Sequence, residues 1–102
     1  MNKLFLSVES KQDISDIKKY ISEELQNPVA AERIIRDITT QIESLINIPK
    51  KGTPLTVVFD IETNYRFLVC GHYVVFYRYE NQTILIVRVL YGRRNFEKIL
   101  FQ

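Results

Sequence analysis

An α+β fold follows from three features of this 102-residue chain. Residues 65–101 contain three runs rich in Val, Ile, Tyr and Phe, separated by breaks that only tight antiparallel hairpins can bridge. Residues 11–46 carry Ile and Leu at helical spacing, interrupted once at Asn27-Pro28. A short apolar run, Lys3-Leu4-Phe5-Leu6-Ser7-Val8, precedes both and reads as a first strand. The length fits a single domain spanning 1–102. Its 46% apolar and 25% charged residues are ordinary for a soluble globular protein.

After the first strand, Ser10 is the expected N-cap of a helix over 11–26, with Asp13 in the first turn to complement the helix dipole. Ile14, Ile17, Ile21 and Leu25 mark its apolar stripe. Asn27-Pro28 stops that helix and starts the next, because the residue before Pro disfavours helix and Pro is tolerated at the first helical position. The second stripe runs through Ala31, Ile34, Ile35, Ile38, Ile42, Leu45 and Ile46, and the helix should end near Asn47, ahead of Pro49. So short a link makes the pair an antiparallel hairpin. Residues 47–64 carry two Pro and one Gly, and within them Val57-Val58-Phe59 reads either as a short strand or as a core insertion.

The three apolar runs form a meander. Gly71-His72 supplies a residue free to take positive φ, and Asn81-Gln82 makes a poorer turn pair. Two-residue loops set Cys70 opposite Tyr73 and Glu80 opposite Thr83. Side chains alternate between faces, so one face carries Tyr65, Phe67, Val69, Val74, Phe76, Leu85, Val87 and Val89. The other mixes Arg66, Tyr77 and Arg88 with aliphatic residues and further tyrosines, with Arg66 directly opposite Tyr77. The first face is the more apolar, and the isoleucine stripe of the helices is expected to cover it. Asn95 then caps a last helical turn, FEKIL, which makes a short C-terminal helix.

Composition narrows the chemistry. The single Cys70 excludes an internal disulfide framework and a Cys-based zinc site. The apolar stretch at the N-terminus is too short for a signal-peptide core, and no run reaches membrane-span length, so a cytoplasmic protein is expected. Residues 1–50 hold seven Lys/Arg and eight Asp/Glu (net −1), while residues 51–102 hold seven and four (net +3). The basic half suits an acidic or phosphate-bearing macromolecule. One His, no phosphate-binding Gly motif and no cofactor signature leave arginine and tyrosine as the functional side chains. Arg66, Tyr77 and Arg88 on one face, with Arg93 and Arg94 at its edge, would supply cations and a phenol for metal-free RNA cleavage, although none is a base at neutral pH. Cross-strand Arg–Tyr packing favours a structural or partner-binding role for Arg66, Tyr77 and Arg88. Arg93 and Arg94, exposed after Gly92, suit contact with a macromolecular target.

The order of strand, helical hairpin, YRFLVCGHYVVFYRY and TILIVRVLYGRRNFEKILF resembles the RelE/ParE superfamily of bacterial toxins. The run Arg88-Val-Leu-Tyr-Gly-Arg-Arg-Asn95 is similar to the ParE-type ending Arg-Val-Leu-His-Gly-x-Arg-Asp. The resemblance implies a toxin of a type II toxin–antitoxin module, with growth arrest and plasmid stabilisation as its biology. A cognate antitoxin would neutralise it in a toxin–antitoxin hetero-oligomer. ParE-like members act on DNA gyrase, which makes Arg88, Tyr91, Arg93 and Arg94 the implied target-binding residues. RelE-like members cut mRNA on the ribosome, which would assign Arg66, Tyr77, Arg88 and Arg94 as catalytic. Val74 stands where the nucleases carry Arg, Leu68 stands where they carry a second lysine, and the YoeB-type His-Tyr terminus is absent. The resemblance therefore favours the ParE branch.

Overall fold

The computed structural model describes residues 1–56 and 63–92. Strand β1 (Lys3–Leu6) leads into helix α1 (Val8–Lys19), which widens into a π-helical turn over Tyr20–Glu24. Helix α2 (Pro28–Ser44) follows, then strands β2 (Thr53–Pro54), β3 (Tyr65–Cys70), β4 (Tyr73–Glu80) and β5 (Thr83–Tyr91). The strands form one mixed sheet in the order β1-β5-β4-β3-β2. Strand β1 runs parallel to β5, and the other neighbours are antiparallel. The expected α+β class holds. Residues 57–59, the C-terminal helix, Arg93 and Arg94 lie outside the described residues.

Helix α2 starts as its sequence dictates. Asn27 accepts the Ala30 N–H at 3.1 Å and Pro28 takes the first helical position. The regular helix ends at Ser44 rather than near Asn47, and the chain continues in turns. Helix α1 begins earlier than expected, because Ser7 and not Ser10 is its cap. The Ser7 hydroxyl accepts the Ser10 N–H at 3.0 Å, while the fully buried Ser10 hydroxyl donates to the Ser7 carbonyl at 2.9 Å. Ser7 still belongs to the sheet through its own N–H, which donates to Ile86 O at 2.9 Å. Strand passes into helix with no loop between them, so Asp13 falls beyond the first turn.

Both hairpins have the expected closing pairs, Cys70 with Tyr73 and Glu80 with Thr83. Asn81 and Gln82 both adopt positive φ, 51° and 60°, the pattern of a type I′ turn. The assignment of faces is corrected. Ile38, Ile42 and Leu45 pack against Leu68, Val75, Tyr77, Ile84 and Ile86, the face that carries Arg66. Phe76 and Val74 lie on the opposite face, buried with Leu55 and flanked by Tyr65, Phe67 and Leu90. Both faces are apolar at the centre of the sheet, so alternation alone did not identify the side the helices cover.

The count along β5 also changes midway. Tyr77 pairs with Ile86 but Phe76 pairs with Arg88, which leaves Val87 as the extra residue of a β-bulge. Beyond it, Val89 joins Val75 beneath the helices and Leu90 joins Val74, the reverse of an unbroken register. Ser7 braces this bulge. Its N–H bonds Ile86 O and its hydroxyl donates to Val87 O at 2.8 Å, so one residue satisfies two successive carbonyls.

Candidate functional site

Of the sequence-derived site residues that are described, Arg66 and Tyr77 meet at one turn, while Arg88 and Tyr91 lie along the end of β5. Tyr77 is fully buried, and its hydroxyl accepts the Gly52 N–H at 2.9 Å and donates to Pro49 O at 2.8 Å. Burial pushes its phenol pKa up, against a smaller opposing effect of the Gly52 bond. Arg66 lies across from Tyr77 and donates through Nη1 to Gly52 O at 2.8 Å and Lys50 O at 3.3 Å. Together they clamp the 49–52 turn onto the sheet. Their environment is that of a structural brace.

Arg88 has a different setting. Strand β1 pairs with β5 only as far as Ile86, so the edge of β5 is open to side chains beyond that point. Asp13 of α1 occupies this edge. Its Oδ2 accepts the Val89 N–H at 2.9 Å and Arg88 Nε at 2.7 Å, and its Oδ1 accepts Arg88 Nη2 at 2.9 Å. The hydrogen bond to Asp13 raises the guanidinium pKa, outweighing the opposing effect of burial, and keeps Arg88 charged. The pair is sheltered, with side-chain exposures of 28% for Arg88 and 12% for Asp13.

Tyr91 ends β5 and is half exposed, its ring 5.4 Å from that of Tyr73 and edge-on to His72 at 6.3 Å. Gly92 turns the chain at φ 63° and donates its N–H to His72 O at 2.7 Å. Glycine takes this left-handed conformation at no steric cost. Between this end of the sheet and the helices runs a mainly apolar groove of about 700 Å3, lined by Ile17, Tyr20, Ile21, Leu25, Ile34 and Tyr91 among others. Tyr20 and Leu25 remain more than half exposed along it. The π-helical turn forms part of its wall, as the Leu25 N–H reaches back to Tyr20 O at 3.1 Å.

The contact of Asp13 with Arg88, the groove and the bulge were not foreseen from the sequence. For Asp13 the available signal was its spacing, since it precedes Ile17 by four residues and so shares the inward stripe of α1. Its assignment as a dipole-compensating residue is corrected, because it faces β5 instead.

Two helices on one face of a mixed sheet, with a braced arginine and a half-exposed tyrosine at one sheet end, define a small α+β domain. The chain belongs to the family of the ParE toxin of the type II toxin–antitoxin system, parDE, whose model matches residues 4–96. Its fold is similar to that of a chain from a chromosomal ParDE TA system of P. aeruginosa, with a TM-score of 0.75 and 19% identity over 91% of this chain and 98% of that one. No curated protein matches the chain significantly. Among the described residues, no helix is long and apolar enough to cross a membrane.

Proposed function

We propose that this toxin-family protein arrests growth by inhibiting DNA gyrase in the cytoplasm, and that a cognate antitoxin neutralises it by forming a toxin–antitoxin hetero-oligomer. Family membership carries the reading. The proposed target-contact residues are Arg88, Tyr91, Arg93 and Arg94. Support comes from the end of β5, where a charged Arg88 and a half-exposed Tyr91 lead directly into the arginine pair. Cationic and phenolic side chains of this kind are enriched where proteins meet macromolecular targets.

The alternative, a ribosome-dependent mRNA endonuclease, would use Arg66, Tyr77, Arg88 and Arg94. Tyr77 would then have to give up two hydrogen bonds and leave the core before it could act on a substrate. That observation favours the gyrase reading.

The test is induced expression without the antitoxin, followed by two assays. Inhibition of supercoiling by purified gyrase, with cellular transcripts intact, is the expected result. Codon-phased cuts in mRNA with normal supercoiling would establish the nuclease instead. Replacing Arg93 and Arg94 together with Ala is expected to lower toxicity without unfolding the protein.

A further inference from the structure

The contact between α1 and the open edge of β5 has more consequence than an ordinary surface ion pair. One carboxylate receives three donors there: Arg88 Nε, Arg88 Nη2 and the backbone N–H of Val89. Bidentate carboxylate–guanidinium geometry fixes the plane of the guanidinium as well as its position. The bond to Val89 fixes the backbone that leads, two residues on, to Tyr91. Side-on binding uses the Nε and Nη2 edge, and Arg88 Nη1 forms no hydrogen bond among the described residues.

We infer that Asp13 is a positioning residue: it holds Arg88 and the end of β5 in the orientation from which the target is met. This rests on the reading of Arg88 and Tyr91 as target contacts. Asp13 itself, sheltered beneath Arg88, touches no target. Its role is to remove the rotamer freedom of a long cationic side chain before binding, so that the ordering cost is not met at the moment of association. A surface arginine without such a partner samples many orientations, and few of them suit a specific contact.

The discriminating experiment compares the wild type with Asp13→Asn and Ser10→Ala. Ser10 lies one turn earlier on the same helix, is fully buried and bonds Ser7 O, so its loss weakens α1 without touching Arg88. Three properties are measured for each protein: melting temperature, solvent exchange of the Arg88 Nε–H by NMR, and inhibition of gyrase supercoiling. Asp13→Asn should speed Nε–H exchange and weaken inhibition by about tenfold each, the scale of a lost charge-assisted hydrogen bond. Ser10→Ala should lower the melting temperature and leave the other two properties as in the wild type.

Wild-type inhibition by Asp13→Asn would overturn the inference. So would a fall in inhibition that tracks melting temperature in both variants, since that is what a mere structural brace would give. If the wild type leaves gyrase untouched, the gyrase reading fails by itself. Growth arrest by the same variants then decides the inference, with the same pattern expected. Unchanged Arg88 Nε–H exchange in Asp13→Asn would overturn it whatever the target.

Discussion

The hydroxyl of Tyr77 receives the backbone N–H of Gly52 at 2.9 Å, and the ring leaves no room at that residue for a side chain. A Cβ on Gly52 would stand 2.7 Å from the hydroxyl oxygen and 2.7 Å from the carbonyl oxygen of Phe67. The second of these belongs to the backbone of β3 and moves only if the sheet moves. Glycine is therefore required here by close approach and not by a left-handed backbone. Gly52→Ala is expected to lower stability by about 1–3 kcal/mol, the usual range for overpacking, as read from the urea midpoint. An unchanged midpoint would mean that the 49–52 turn lifts freely from the sheet.

Tyr77→Phe keeps the ring and removes both hydroxyl bonds. It leaves the N–H of a buried Gly52 without its partner, which costs about 1–3 kcal/mol. Growth arrest should survive at a temperature where the variant stays folded, because the hydroxyl serves the scaffold. A variant that melts like the wild type but no longer arrests growth would return Tyr77 to a chemical role and revive the nuclease reading.

Ser7 joins three features that are normally separate: the end of β1, the cap of α1 and the bulge of β5. Ser7→Ala removes the acceptor for the Ser10 N–H and the donor to Val87 O. Loss of an N-cap alone costs about 0.5–2 kcal/mol, and loss of the bulge contact adds to it. Faster hydrogen exchange at Ser10 and Lys11 should accompany the lower melting temperature. If only the melting temperature falls, the bulge contact rather than the cap carries the effect.

These contacts separate what the sequence encodes locally from what it does not. The Asn27-Pro28 boundary, both hairpin closures and the Arg66–Tyr77 pairing rest on neighbouring residues, so they could be read directly. The covered face could not, because Phe76 and Tyr77 are both buried and the sheet is apolar on each side at its centre. Tyr77 counted as polar in the pattern, yet the loop satisfies its hydroxyl and it behaves as a core residue. The bulge depends on Ser7, eighty residues from Val87, and no window of β5 alone reveals it. Asp13 lies 75 residues from Arg88, so its inward spacing on α1 was legible while the arginine it holds was not.

Cys70 gives a test of the half-buried edge of β3. Burial pushes its thiol pKa up, with Lys51 opposing and Asp37 adding to the rise. A raised pKa keeps the thiol protonated through the range in which a free cysteine, at about 8.5, begins to ionise. Only the thiolate attacks an alkylating reagent, so the rate–pH profile for iodoacetamide should lie at higher pH in the folded protein than in urea. At pH 8 the folded protein should therefore react more slowly than the unfolded chain, by lower thiolate fraction as well as by lower access. Separating the two requires the whole profile: restricted access alone lowers every rate equally, whereas desolvation moves the inflection upward. An inflection at or below that of the unfolded chain would mean that Lys51, not burial, dominates the site.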